Sequence, residues 1–214
     1  MKSAIIIAHG DLEVTPEVEA LVRRADLIIA ADGGAAAALA QGWQPHLLVG
    51  DLDSAPPDVR ARVEAAGAEV LQYPARKDET DTELALRIAL ERGAQEVYLL
   101  GALGGRLDHT LANLLLLALP ELQGVRVTIL AGRQRAFAIR HRAEIPGRPG
   151  DLVSLLPLGG DATGIWTAGL DYPLRGGTLR FGAARGISNV ITQAPAEVRL
   201  EKGLLLAIVT QQPG

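Results

Sequence analysis

His46-Leu47-Leu48-Val49-Gly50-Asp51-Leu52-Asp53-Ser54 sets an apolar run directly against two carboxylates one residue apart. Residues 47–49 read as a buried strand, Gly50 as the turn that ends it, and Leu52 as an inward anchor for the loop. Taken alone, the acids are a turn followed by a helix cap before Pro56-Pro57. They mean more if the same juxtaposition recurs, because ligands of open parallel sheets bind beyond the carboxyl ends of the strands.

It does recur. Apolar runs at 4–8, 27–30, 47–49, 69–72 and 97–100 predict five strands. Helical patterns at 16–24, 34–41, 57–66, 80–92 and 109–119 alternate with them; Pro16 suits a first turn, and Thr80 with Glu83 forms a capping box. Such alternation predicts a mainly parallel, three-layer α/β domain with helices on both faces of the sheet. From Val125 the pattern changes to short β-like runs at 125–130, 135–140, 152–156, 162–167, 178–181, 190–192, 197–200 and 204–210, without a helix. Pro146-Gly147, Pro149-Gly150, Gly159-Gly160 and Gly176-Gly177 punctuate them, a rhythm that predicts a C-terminal β-sandwich. The expected division is 1–130 and 131–214.

With 214 residues, 48% of them hydrophobic, the chain can bury two cores. A net charge of −4 gives no basic footprint for nucleic acid, and without cysteine there is neither a disulfide framework nor a thiolate metal site. The N-terminal apolar run is too short for a signal peptide, and no run approaches a membrane span, so a cytoplasmic protein is expected. Lysine occurs only at 2, 77 and 202, and arginine supplies the remaining positive charge.

The polar motifs follow the predicted strands in order: Asp32-Gly33-Gly34, then Asp51 and Asp53, then Lys77-Asp78-Glu79-Thr80-Asp81, then Gly104-Gly105-Arg106-Leu107-Asp108-His109. In parallel strands all of them share one edge, where Asp32, Asp51, Asp53, Asp78 and Asp81 converge. Turns and caps explain each motif singly but not the joint excess of acid. An extended backbone points Asp51 and Asp53 to one side, toward one ion or two neighbouring ions. Clustered oxygen donors favour Mg2+, which shares its coordination with substrate phosphates. The Gly104-Gly105 turn presents backbone N–H groups to phosphate oxygens, and Arg106 offers a bidentate contact. His9 ends the first strand at the same edge; His46 and His141 read as surface or structural residues. The chain has no Gly-x-Ser-x-Gly elbow, no Gly-Lys pair for a P-loop and no Rossmann glycine fingerprint.

These four motifs, with Gly169-Leu170-Asp171-Tyr172-Pro173-Leu174 and Gly186-Ile187-Ser188-Asn189 later in the chain, resemble those of thiamine pyrophosphokinases in order and spacing. Two positions depart from the family pattern: Asp171, where bacterial members often carry Lys, and Leu52, where Phe is common. The resemblance implies an α/β domain that binds ATP and Mg2+, a β-sandwich that contributes to thiamine binding and dimerisation, and a homodimer with active sites at the subunit interface. It implies diphosphoryl transfer from ATP to thiamine, giving thiamine diphosphate and AMP. Carried onto this chain, Asp51, Asp53 and Asp81 hold Mg2+, with Asp32 and Asp78 completing the acidic edge and one carboxylate taking the hydroxyl proton. Lys77 and Arg106 stabilise charge on the transferred group. Asp32, Gly33, Gly104, Gly105, Asp108, His109 and Asn113 shape the nucleotide site, and Ser188, Asn189 and Tyr172 the thiamine site; Trp166 reads as sandwich core. A diphosphotransferase acting on another small alcohol, such as a hydroxymethylpterin, and a noncatalytic nucleotide sensor are the alternatives.

Overall fold

The structure, a computed structural model, describes residues 1–213. It divides into two compact units, Met1–Leu116 with Glu121–Gly132, and Leu117–Pro120 with the chain from Arg133 onward.

In the first unit six strands, β1 (Ser3–Ile7), β2 (Leu27–Ala31), β3 (Leu47–Gly50), β4 (Glu69–Gln72), β5 (Glu96–Leu100) and β6 (Arg126–Ala131), pair in parallel in the order β6-β5-β1-β2-β3-β4. Five helices connect them: α1 (Pro16–Arg24), α2 (Gly34–Ala40), α3 (Pro57–Ala65), α4 (Asp81–Glu91) and α5 (Leu107–Leu116). Ile5, Ile7 and Ile28 point to one face, where Val18, Leu21 and Val22 of α1 and Ala38 of α2 cover them. Ile6, Ile29 and Leu47 point the other way and are just as buried; α4 packs against β1, β2 and β3. Strands buried on both faces account for their continuous apolar runs. Thr15 caps α1 and Thr80 caps α4, each side chain accepting a backbone N–H.

The run at 125–130, where the change to β-like runs begins, is the sixth parallel strand: Val97 registers with Val127 and Leu99 with Ile129, and α5 is the crossover that makes this possible. That helix starts at Leu107 and stops at Leu116, about two to three residues earlier at each end than expected.

The second unit is two antiparallel sheets around one core. Their strands are β7 (Gln134–Ile139), β8 (Arg142–Ile145), β9 (Leu152–Pro157), β10 (Ala162–Ala168), β11 (Arg175–Leu179), β12 (Asn189–Val190), β13 (Ala196–Arg199) and β14 (Leu205–Thr210). One sheet has the order β12-β9-β14-β7, the other β11-β10-β13-β8. Val153, Leu155, Leu205 and Ala207 of the first sheet meet Ala162, Ile165, Leu179 and Val198 of the second. β8 was not anticipated, because only Ala143 and Ile145 of its four residues are apolar and it lies at a sheet edge. Gly176-Gly177, read above as a turn, lies within β11. Trp166 is not core either. The register of β10 shifts around Ile165, which takes the buried position, and leaves Trp166 40% exposed beneath the Arg199 guanidinium, 5.1 Å from the ring centroid.

Candidate active site

From β1 the chain lays down β2, β3 and β4 to one side and then places β5 and β6 on the other, so the strand order reverses between β1 and β5. A cleft opens at the carboxyl ends of the strands beside this switch point, floored by the loops that leave β1 and β5. Gly10 N–H donates to the Gly101 carbonyl and Asp11 N–H to the Leu103 carbonyl, both at 2.7 Å. From α5, Asn113 donates its side-chain amide to the Ala102 carbonyl at 2.6 Å, and the Thr110 hydroxyl accepts the Gly104 N–H at 3.2 Å. Rigid loops thus frame a cleft of about 580 Å³ that His9, Asp32, Asp53, Lys77, Asp81 and Gly104 help to line. At its rim Arg106 and Asp108 are both exposed and bonded to each other at 2.6 Å. The Arg106 guanidinium, with the His109 backbone N–H, brings the Asp108 carboxyl down to about 2.

The acids gather beside this cleft. Asp32 follows β2 with φ 45°, its N–H bonded to the Val49 carbonyl at 2.8 Å, and only 7% of the residue is exposed. Gly50 has φ 150°, and a Cβ there would lie 3.0 Å from the Asp32 Cβ and 3.1 Å from Asp81 Oδ1. Only glycine lets the end of β3 lie so close to both acids. Beyond it the backbone is not extended, as the same-side argument for Asp51 and Asp53 had required. Leu52 is left-handed, φ 67°, and packs with the cluster of Val59 and Val63. The Asp51 carboxylate accepts the Asp53 N–H at 3.2 Å, and this tight loop, not strand alternation, aims the two acids. One oxygen from each of Asp32, Asp51 and Asp53 lies within 4.8 Å of the others.

Asp81, expected as a ligand with Asp51 and Asp53, stands at the first turn of α4 against Lys77, whose Nζ lies 3.0 Å from Asp81 Oδ1 and 3.7 Å from Asp51 Oδ2. Asp78, on the same loop, is exposed. Burial pushes the Asp32 carboxyl above its ordinary value; the Ser54 hydroxyl opposes that rise, while the charges of Asp81 and Asp51 add to it. Burial also works against the Lys77 ammonium, but Asp81, Asp51 and Asp32 outweigh it and hold the amine above its usual range. Asp32 Oδ1 and Asp81 Oδ1 are buried without a hydrogen-bond partner. An unpartnered Asp32 oxygen and an Asp81 oxygen met only by the Lys77 charge, beside two further carboxylates, fit a hard divalent cation, Mg2+ before Zn2+.

The second unit has its own cleft, about 430 Å³, lined in part by Asp171, Tyr172, Arg185, Ser188 and Asn189. Asn189 clips its two motifs together. Its Oδ1 accepts the N–H groups of Tyr172 (3.0 Å) and Val190 (2.9 Å), and its amide donates to the Tyr172 carbonyl (2.8 Å). Ser188 is left-handed, φ 57°, and its N–H donates to Ser154 Oγ at 3.1 Å. Tyr172 is held by its backbone with 72% of the residue exposed.

Sequence reasoning missed Asp11, Ser54 and Thr82, which also line the first cleft, and Arg185, which lines the second. For Asp11 the signal was present: His9-Gly10-Asp11 follows β1 as the other acidic motifs follow β2, β3 and β4.

Comparison with known proteins follows the same division. The family described as "Thiamin pyrophosphokinase, catalytic domain" matches residues 18–129, and "Thiamin pyrophosphokinase, vitamin B1 binding domain" matches 139–205. Thiamine pyrophosphokinase of Bacillus subtilis is 30% identical over 214 residues, covering 97% of this chain and 98% of that protein. The crystal structure of the thiamine pyrophosphokinase from Bacillus subtilis superposes with a TM-score of 0.86 at 26% identity, covering 99% of this chain and 100% of that one. That of a thiamin pyrophosphokinase family protein from Enterococcus faecalis gives 0.86 at 25% identity over 100% of both chains.

The Asp32 environment makes a testable statement about stability. Folding raises the affinity of this carboxyl for its proton, so between the ordinary aspartate value of 3.8 and the higher folded value the folded state binds more protons than the unfolded one. Its contribution is therefore greatest at low pH and falls as pH rises through the folded value. Asp32→Asn removes the buried charge and keeps a residue that tolerates the left-handed backbone. In chelator at pH 7 this variant should melt higher than the parent, with the gap closing toward pH 4; thermal melts across that range check it, and a lower melting temperature at pH 7 contradicts it.

Proposed function

The chain belongs to the thiamine pyrophosphokinase family, and from that premise we propose that it transfers a diphosphoryl group from ATP to the hydroxyl of thiamine, releasing AMP. The observation that carries this reading is the convergence of Asp32, Asp51 and Asp53 at the carboxyl edge of a parallel sheet, beside a cleft at its switch point.

The hydroxyl oxygen of thiamine bonds to the β-phosphorus as the bond from that phosphorus to the oxygen bridging to the α-phosphate breaks. AMP leaves with that electron pair, and the hydroxyl proton passes to a carboxylate of the acidic set. Such a reaction asks the protein for placement and charge neutralisation above all. When bound, Mg2+ supplies neutralisation of the triphosphate and polarisation of its phosphate oxygens. Asp51, Asp53 and Asp81, with Asp32, would hold it, and Asp78 would lie outside the direct ligands. Lys77 and Arg106 face the transferred charge; for Arg106 this means exchanging its exposed pairing with Asp108 for a phosphate. Gly33, Gly104 and Gly105 bring backbone close to the phosphates, with Asp108, His109 and Asn113 around the nucleotide. Ser188, Asn189 and Tyr172 take thiamine, with the nucleotide and Mg2+ assigned to residues 1–130 and thiamine binding to 131–214. The working compartment is the cytoplasm. Among the described residues no helix is long and apolar enough to cross a membrane.

A homodimer belongs to the same proposal. Leu107, Leu111 and Leu115 follow one another at helical spacing on α5 and are 79%, 54% and 48% exposed. A helix that is apolar on its outer side as well as its inner one calls for a covering surface, and a second copy of the chain would provide it.

Purified protein with Mg2+, ATP and thiamine should yield thiamine diphosphate and AMP in equal amounts, followed by chromatography. ADP in place of AMP, or turnover with a hydroxymethylpterin but not thiamine, rejects the assignment. Asp51→Asn should lower kcat by about a thousandfold or more while leaving the circular dichroism spectrum unchanged. In sedimentation the parent should run as a dimer and Leu111→Glu as a folded monomer; a monomeric parent rejects the dimer.

A further inference from the structure

Resting on the reading that the acidic set takes a divalent cation, we propose that Lys77 is the built-in counter-ion of the metal-free site: its ammonium neutralises Asp81 and Asp51 until a cation enters, and then turns to the phosphates. The same oxygens cannot serve both the ammonium and a metal, so Lys77 competes with the metal in the free protein and cooperates with it once nucleotide is bound.

Geometry carries the argument. Lys77 Nζ lies between Asp81 Oδ1 at 3.0 Å and Asp51 Oδ2 at 3.7 Å, with 12% of its side chain exposed. Asp81 Oδ1 nevertheless has no hydrogen-bond partner, so this contact is charge proximity and not an aligned bond. Among the described residues the ammonium donates a hydrogen bond to the Pro74 carbonyl alone, and it is long at 3.4 Å. Little holds the ammonium in place beyond the field of the acids. Three carboxylates with oxygens within 4.8 Å of one another and a fourth beside them repel, and one nearby positive charge relieves part of that repulsion. A compact charge on a flexible four-carbon stem suits a group that must leave; the planar fork of arginine suits one that stays. In a chain whose lysines are only Lys2, Lys77 and Lys202, with arginine elsewhere, lysine at this position is a local choice.

Manganese titration read by electron paramagnetic resonance tests this, on the parent and on Lys77→Met, without nucleotide and with an ATP analogue carrying a methylene bridge between the α- and β-phosphates. Without nucleotide, Lys77→Met should bind Mn2+ about tenfold more tightly than the parent. In chelator it should melt lower, and Mn2+ should raise its melting temperature by more than that of the parent. With the analogue bound, the advantage in Mn2+ affinity should vanish or reverse. Equal or weaker Mn2+ binding by the nucleotide-free variant overturns the proposal. Absence of Mn2+ binding to parent and variant alike, with and without the analogue, overturns the cation reading itself. Lys77→Gln, close in length and neutral, provides the same comparison if the Met variant does not fold.

Discussion

The backbone hydrogen bond that closes the β2–β3 ladder, from Asp32 N–H to the Val49 carbonyl at 2.8 Å, fixes how close the chain beyond these strands comes. With it in place, Gly50 must pass within contact of both Asp32 and Asp81, and the Asp51–Asp53 loop must turn over Asp32. Parallel pairing is what makes the geometry cumulative. Every strand of the first unit delivers its following loop to the same edge, so acids separated by tens of residues in sequence become neighbours in space. An antiparallel sheet with the same motifs would scatter them between two edges. The chemistry of the site is thus a consequence of strand direction before it is a consequence of any side chain.

Concentrating negative charge in a half-buried place works against the fold. Asp32 is the clearest case, with its carboxyl raised by burial and one oxygen left without a partner. A domain selected only for stability would fill this position with Asn or a small apolar residue. Lys77 offsets part of the repulsion, and α4 adds a smaller term, since Asp81 sits in its first turn where the positive end of the helix dipole favours an anion. The rim is arranged differently. Arg106 and Asp108 are both mostly exposed, and their pairing contributes little to stability, so Arg106 can change partner at little cost.

How far the sequence could be read follows from which forces act locally. The α/β alternation was legible because strands buried on both faces need continuous apolar runs, and α1 and α4 announce themselves through Thr15, Pro16 and the Thr80–Glu83 cap. The acidic edge was legible because strand order is not needed to know that parallel strands share a carboxyl end. Partnership was not legible. Residues 126–131 look the same whether they pair with β5 or open a sandwich, and only the crossover through α5 decides. Trp166 was misjudged because a register shift in β10 inverts the alternation on which a core assignment depends. The shape of the Asp51–Asp53 loop was hidden for a similar reason, since nothing in Asp-Leu-Asp marks its middle residue as left-handed.

Among the described residues the non-glycine positions with left-handed backbone are Asp32, Leu52 and Ser188. Leu52 and Ser188 carry strain of about 1 kcal/mol or more, Asp32 less because aspartate tolerates this region, and the β-region alternative is open to all three side chains. Random placement along the chain would not put all three inside the motifs singled out for function. At Asp32 the twist seats the carboxylate under Gly50; at Leu52 it folds the loop so that Asp51 can bond the Asp53 N–H; at Ser188 it brings Asn189 into its bonds with Tyr172. In each case the strained residue sets the direction of a polar group that a relaxed backbone would point elsewhere, and surrounding bonds over-determine the conformation. Strain retained at these positions is better explained by a demand on side-chain placement than by any benefit to the fold, which would be more stable without it.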